Sequence, residues 1–310
     1  MPDVESLNLL ESFIRSAQLG SFSAAARSLG LTPAAVSKNV GRLEADLGLR
    51  LFHRSTRKLA LTEEGEQFLE NAAGPYASLQ DAFAHAAQRE GKPSGVLRVS
   101  VGLGFGNEYI VPLLGDFLAR YPAIVPDWHF ENRAVDLVGE GYDAAIAGGI
   151  ELTEGVIARK LATAYIIAVA SPAYMAERPM PKHPSELSGL DGIVRRSGPT
   201  GRLRAWTLRN SVGVEAAAPS SVRMIFDDPE AMARAAVLGY GVALLPTPHA
   251  ARWIASGALI RLLPEWSAEL GALSIYYPNK KLVPLKTRAF IDFVVEAFRK
   301  KRLAALFDPR

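Results

Sequence analysis

Eight basic side chains fall between residues 15 and 58: Arg15, Arg27, Lys38, Arg42, Arg50, Arg54, Arg57 and Lys58. Only Glu44 and Asp46 oppose them there, while the 310-residue chain carries a formal net charge of +3. The excess positive charge is therefore concentrated at one end, as phosphate neutralisation requires. Small and hydroxylated residues accompany it: Ser23, Thr32, Pro33, Ala34 and Ser37 ahead of Lys38 and Arg42, and Ser55 and Thr56 between Arg54 and Arg57. Small side chains let a helix sink into a groove, and hydroxyls, Lys and Arg donate to phosphates and base edges. The chemistry expected is recognition of duplex DNA, with these eleven residues as its contacts.

The surrounding sequence predicts the elements that position them. Ser23 reads as the N-cap of a short Ala-rich helix ending near Leu29, and Gly30 supplies a sharp turn. Thr32 caps a second helix with Pro33 in its first position. Val36, Val40, Leu43 and Leu47 are expected to form its buried stripe, leaving Ala34, Ser37, Lys38 and Arg42 on the outer face. This places a helix-turn-helix at residues 22–41, followed by a small ribbon of Leu51–His53 and Lys58–Leu61 that carries the Arg54–Arg57 loop.

The segment from Leu7 to Leu69 resembles the winged helix-turn-helix of LysR-type transcriptional regulators. The matching stretches include Phe13-Ile14, Gly20-Ser21-Phe22-Ser23, Ala35-Val36-Ser37, Arg42-Leu43-Glu44, Leu51-Phe52 and Leu61-Thr62-Glu63-x-Gly65. One departure is visible: Thr32-Pro33-Ala34 opens the second helix where the family often has Ser-Gln-Pro. The Gln able to read adenine is absent, so the binding mode carries over and the base preference does not.

Beyond the ribbon, Leu69, Ala72, Tyr76, Leu79, Phe83 and Ala86 are spaced alternately by three and four, which is a heptad seam. It is expected to join two chains rather than lie on its own domain, and the resemblance implies the same. Gly74-Pro75 interrupts this helix and is expected to kink or split it. Gly91-Lys92-Pro93-Ser94-Gly95 is a punctuated linker.

Strand and helix patterns then alternate, predicting mostly parallel sheets, two in number. Expected strands include Val96–Val101, Val125–Phe130, Tyr165–Ala170, Val212–Glu215 and Ala272–Tyr277. This half resembles the effector-binding region of the same regulators, through stretches such as Ile110-Val111-Pro112-Leu113-Leu114, Tyr142-Asp143-x-Ala145-Ile146 and Gly239-x-Gly241-x-Ala243-Leu244-Leu245-Pro246. The fold class implied is an all-α winged helix-turn-helix N-terminal domain plus an α/β C-terminal domain of two subdomains, periplasmic-binding-protein-like. The expected boundaries are residues 1–62 for the DNA-binding domain, 63–90 for the linker and dimerisation helix, and 91–310 for the effector-binding domain. Within the last, subdomain I takes 91–164 and 269–310, and subdomain II takes 165–268.

Gly102-x-Gly104-x-Gly106 lacks the G-x-G-x-x-G spacing of a dinucleotide site. It reads better as a helix N-terminus facing a cleft and suited to an anion. Leu103, Gly104, Phe105 and Gly106 are therefore candidate effector contacts, with Gly148 and Gly149 at the end of a strand. Leu103, Gly104 and Phe105 stand where the family frequently has Ser or Thr, which points to a flatter or more apolar effector. Arg195, Ser197 and Thr200 belong to a loop whose arginines (Arg195, Arg196, Arg202, Arg204) either anchor an anion or form a solvated face. Phe226 and Asp227 are expected on the cleft wall and Asp228 as a helix cap.

No cysteine is present, the five histidines are scattered, and no nucleophile–base or metal-ligand spacing appears. No catalytic residue, metal or cofactor is expected. With no signal pattern and no long apolar run, a cytoplasmic protein is expected. Its partners would be an operator duplex, a small-molecule effector of anionic or aromatic character, further copies of the chain as a dimer or tetramer, and RNA polymerase. The rival reading is an α/β enzyme or ligand carrier whose basic segment serves assembly.

Overall fold

The computed structural model describes residues 4–53, 59–87, 92–148, 155–197, 200–279 and 283–309. Arg54, Ser55, Thr56, Arg57 and Gly149 lie outside the described residues. The chain forms two compact units: Met1–Glu90 with Asp136–Tyr142, and Gly91–Val135 with Asp143–Arg310.

The first unit contains α1 (Val4–Leu19), α2 (Phe22–Leu29), α3 (Pro33–Leu47) and α4 (Glu63–Ala87). Ser21, not Ser23, caps α2: its hydroxyl accepts from the Ala24 N–H at 3.3 Å, and Ser23 falls exposed in the first turn. The choice follows from Phe22, which packs on Phe52 with ring centroids 5.6 Å apart and so fixes where the helix starts. Gly30 ends α2 in the left-handed region, and Thr32 caps α3 through the Ala35 N–H. Val36, Val40 and Leu43 are buried as expected, whereas Leu47 is 39% exposed. Gly48 terminates α3 immediately after it, so the chain leaves before that turn meets a neighbour.

Phe13 is fully buried at the centre of this unit, with ring centroids 5.6 Å from Phe52 and 5.4 Å from Phe68. Phe52 and Leu61 form an antiparallel bridge, flanked by His53 N–H to Ala60 C=O at 2.9 Å and Thr62 N–H to Leu51 C=O at 3.1 Å. These bonds make the base of the expected ribbon.

Along α4, the seam residues divide. Leu69 and Tyr76, with Phe68, pack against the core of their own unit. Burial, then the hydrogen bond and charge of Glu11, push the Tyr76 phenol up to about 12. Leu69 and Tyr76 thus place part of the apolar stripe within the chain and remain half-buried, and Leu79 is 37% exposed. Phe83 and Ala86 lie within α4, but their side chains are outside the described residues.

The expected split at Gly74-Pro75 does not occur: α4 runs through Pro75 as one helix. Asn71, whose carbonyl Pro75 cannot partner, is exposed, so water can take the lost bond. Gly74 has a separate reason to lack a side chain. A Cβ there would lie 2.6 Å from the Gly139 carbonyl oxygen, and one on Gly141 (φ +71°) would lie 2.5 Å from the Gly74 Cα.

Among the described residues of the second unit eleven strands share one hydrogen-bonded network, eight of them in the order β2-β1-β3-β11-β4-β9-β5-β8, with β10 paired to β4 and the β6–β7 hairpin attached through β11. Here β1 is Gly95–Val101, β2 Ile124–Phe130, β3 Ala144–Gly148, β4 Val156–Ala170, β5 Asp191–Arg195, β6 Trp206–Asn210, β7 Glu215–Ala218, β8 Ser221–Phe226, β9 Val242–Pro246, β10 Ile260–Leu262 and β11 Trp266–Pro278. The expectation of two mostly parallel sheets is corrected. Parallel pairing is confined to β1 with β2 and β3, and to β5 with β8 and β9; every pair involving β4 or β11 is antiparallel. These two long strands run from one half of the network into the other and weld the halves together. The expected crossovers near residues 164 and 268 fall inside them.

The strand expected at Val212–Glu215 is instead mostly the turn of the β6–β7 hairpin. Gly213 sits there at φ +87° and Val212 is 81% exposed.

The helices flank this network: α5 (Leu103–Phe105), α6 (Leu114–Arg120), α7 (Pro172–Met175), α8 (Pro229–Val237), α9 (Thr247–Ala255), α10 (Leu285–Lys300) and α11 (Leu303–Leu306). A π turn at Gly106–Ile110 and a 3-10 turn at Val111–Leu113 join α5 to α6. One core packs β1, β3, α10 and the Phe105–Phe117 stretch around Phe117, Phe290 and Phe307. Two further cores cover the opposite faces of the β5–β9 half, one under α8 and α9 around Met232 and Leu245, the other around Tyr174, Leu208 and Trp266.

Candidate functional site

The first candidate surface is the outer face of α3. Thr32, Pro33, Ala34, Ser37, Lys38 and Arg42 are all exposed, while Val36, Val40 and Leu43 bury the opposite face. The helix is seated from behind by polar contacts as well. Asn39 donates to Ser12 Oγ at 2.9 Å, Ser12 donates to the Asn8 carbonyl, and Ser16 donates to the Ser12 carbonyl at 2.6 Å. Such a face, small near its N-terminus and basic further along, matches what a major-groove helix presents.

Glu44 ties α3 to the ribbon. Its Oε1 accepts the Leu51 and Phe52 N–H groups at 2.8 and 3.2 Å, and its Oε2 accepts Arg50 at 3.0 Å. The carboxylate side chain is only 11% exposed. Glu44→Ala strands both amides, at a cost of about 2 kcal/mol. The expected result is a lower thermal midpoint for the first unit by far-UV circular dichroism. The four tryptophans (Trp128, Trp206, Trp253, Trp266) all lie in the second unit, so their fluorescence transition should not move.

The second candidate is a cavity of about 350 Å³ in the second unit, at the lower end of the range for small-molecule sites (about 300–1,000 Å³). It opens at the carboxyl ends of parallel strands: Ser100 on β1 and Gly102 just after it, Ala147 and Gly148 on β3, Arg195 on β5 and Pro246 on β9. That is where open α/β sheets bind ligands. Phe105, Ile146, Leu270, Leu273, Trp206 and Pro229 supply apolar wall.

Of the predicted effector residues, Phe105, Gly148 and Arg195 line this cavity. The others among the described residues are placed elsewhere. Gly106 is buried where a Cβ would meet the Phe130 ring at 2.6 Å, so packing accounts for it. Leu103 is 45% exposed and its N–H is taken by Asn132 Oδ1 at 3.3 Å, which removes a donor expected for an anion. Gly104 faces Glu230 and the His249 ring, each 3.1 Å from a notional Cβ. Ser197 and Thr200 form their loop's own turn, with Ser197 N–H on the Arg202 carbonyl and Thr200 Oγ1 accepting from the Arg202 N–H. Phe226 packs into the core beneath α8, and Asp227 turns its carbonyl to Arg195 Nε at 3.4 Å, so neither side chain is cleft wall. Asp228 caps α8 through the Ala231 N–H at 2.7 Å, as expected.

Sequence reasoning left out Glu131, Asn132, Arg133, Pro246, His249, Leu270 and Leu273, which also line the cavity. Asn132 donates across to Asp228 Oδ2 at 2.7 Å, and Tyr109 donates to the Pro248 carbonyl at 2.8 Å. Arg252 bridges Glu108 at 2.8 Å and Glu230. Burial raises the Glu230 pKa, but the His249 hydrogen bond and the Arg252 charge outweigh it and hold the carboxyl below its ordinary range. Of the residues in these contacts, Asn132, Pro248 and His249 line the cavity. Burial first, then the charge of Arg204, lower the Arg195 guanidinium from its usual value.

Comparison with known proteins places each half of the chain in a family. Residues 7–66 match the family model of the bacterial regulatory helix-turn-helix protein, lysR family, and residues 90–299 match the LysR substrate binding domain. An HTH-type transcriptional regulator of Xanthomonas campestris pv. campestris is 34% identical over 285 residues, covering 91% of this chain and 83% of the relative. PtxR of Pseudomonas aeruginosa, also an HTH-type transcriptional regulator, is 33% identical over 292 residues, 94% of this chain and 92% of its own. Among solved structures, the LysR-type regulator CrgA from Neisseria meningitidis superposes with a TM-score of 0.60 at 30% identity, covering 94% of this chain and 98% of that one. With two family models matched over most of its length and relatives above 30% identity, this chain belongs to the LysR family of DNA-binding transcriptional regulators, which are not enzymes.

Proposed function

We propose that α3 enters the major groove with Ala34, Ser37 and Lys38 against base edges and phosphates, and that Arg54 and its neighbours hold the adjacent backbone. The observation that carries this reading is the division of α3 into a buried back and an exposed small-then-basic front. Two copies of the chain engage a two-fold symmetric operator, because one module makes few phosphate contacts. A small effector in the strand-end cavity biases the arrangement of the second unit, and the response is bounded by its differential affinity for the two states. Transcriptional output then passes through RNA polymerase, and the site of action is the cytoplasm, where the operator lies. No described helix is long and apolar enough to cross a membrane.

Duplex affinity measured against salt tests the proposal. Binding should fall linearly with log[salt], and Lys38→Ala should weaken it on all sequences alike, reducing the slope by about one unit if Lys38 meets a phosphate. An unchanged affinity and slope in Lys38→Ala would remove α3 from the interface.

A further inference from the structure

The charges around the cavity do not balance evenly. Arg133 is paired with Glu131 at 2.6 Å, and His249 lies 3.7 Å from Glu230. Arg195 and Arg204 are different: both line the cavity, the like charge of Arg204 helps lower the Arg195 guanidinium from its usual value, and among the described residues neither meets a carboxylate within salt-bridge distance. The Arg195 side chain is half-buried and donates to the Asp227 carbonyl at 3.4 Å, while Arg204 is exposed. Two guanidinium groups lining a cavity of mixed polar and apolar wall call for an anion that accepts from planar forks. Trp206 stands two residues from Arg204 on the same wall, and Phe105, Ile146 and Leu273 supply further apolar lining.

We infer that the cleft takes a small carboxylic acid with a flat apolar body, its carboxylate between Arg195 and Arg204 and its ring against Trp206. The inference rests on the reading of this cleft as the effector site and adds the ligand's chemical class. A single negative charge fits better than the double charge of a phosphate ester. Glu131 is already matched by Arg133, and Asp227 and Asp228 lend Arg195 negative potential, so a second anionic charge gains less than the first. A cavity of about 350 Å³ also limits the body to something near a single ring system.

The test uses the full chain and three probes: benzoate, benzamide and acetate, followed by tryptophan fluorescence and calorimetry. Benzoate is expected to bind saturably, with benzamide and acetate each at least tenfold weaker, since one lacks the charge and the other the ring. Arg195→Gln and Arg204→Gln should each weaken benzoate tenfold or more with circular dichroism unchanged, and Trp206→Phe should remove most of the fluorescence response. Equal binding of benzoate and benzamide, or full benzoate affinity in both arginine variants, overturns the carboxylate assignment alone. Binding of none of the probes overturns that assignment and also the reading of the cleft as a small-molecule site. Duplex affinity, measured in parallel, stands apart from both results.

Discussion

Lys286→Ala should lower the stability of the second unit by about 3–5 kcal/mol, one of the two largest single-residue effects expected in this protein. The Lys286 side chain is 5% exposed at the start of α10, with its ammonium 3.1 Å from Asp143 Oδ2, itself only 11% exposed. Lys286 also donates to the Val96 carbonyl, while the Asp143 carboxylate accepts the Arg98 N–H at 2.9 Å and the Thr287 hydroxyl at 3.2 Å. One ion pair thus pins α10 to β1 and to the residue that leads into β3, beside the cavity-lining Ala145–Gly148. Truncating the lysine takes the ammonium away from a buried carboxylate. Urea unfolding followed by tryptophan fluorescence should show the loss, because all four tryptophans report on this unit. A double variant, Asp143→Asn with Lys286→Met, should recover part of the stability, since it removes both charges rather than orphaning one. An unaltered midpoint in Lys286→Ala would show that the pair is solvated in solution.

That pair was not legible in the sequence, and the reason is instructive. Lys286 and Asp143 are separated by more than a hundred residues, and nothing local marks either as buried. The cavity residues suffered the same fate. They sit singly at strand ends from Ser100 to Leu273, so no spacing rule gathers them, and only the topology brings His249 and Leu273 to one place with Asn132. By contrast, Thr32, Pro33 and Gly30 were readable, because capping and left-handed turns are decided within three or four residues. Ser21 against Ser23 was a contest between two good caps, settled by the tertiary contact of Phe22 with Phe52. The strand expected near Val212 failed for a related cause. A β-branched residue at a hairpin tip looks locally like strand, and only Gly213 at positive φ marks the turn.

The long strands were misread for a geometric reason. β4 and β11 pair along their lengths, yet their flanks face two different cores, so neither keeps one simple alternation of burial from end to end. The pairing also breaks register between Glu269 and Gly271 and again between Leu273 and Ser274. Those irregularities fall at Leu270 and Leu273, which face the cavity.

Gly65→Ala should cost the first unit about 1–3 kcal/mol or more, and should reduce duplex affinity at least tenfold. Gly65 lies in the first turn of α4, where a Cβ would stand 2.1 Å from the Leu51 carbonyl oxygen and 2.9 Å from its carbon. The obstacle is backbone, so no side chain can swing aside. The same carbonyl accepts the Thr62 N–H, and the Thr62 hydroxyl donates to the Arg50 carbonyl at 2.6 Å while accepting the Gly65 N–H at 3.0 Å. Pushing α4 away from Leu51 therefore disturbs the two amides that Glu44 holds, and with them the angle between α3 and the ribbon. Gly41 gives the contrast inside the same unit. It lies within α3 with nothing within 4 Å of a notional Cβ, so Gly41→Ala should raise stability by up to about 1 kcal/mol through helix propensity. Circular dichroism melts of the two variants, read beside duplex binding, separate the cases. If Gly65→Ala melts and binds DNA like the parent, α4 and the ribbon do not need the close approach, and the ribbon is free to reorient independently of α3.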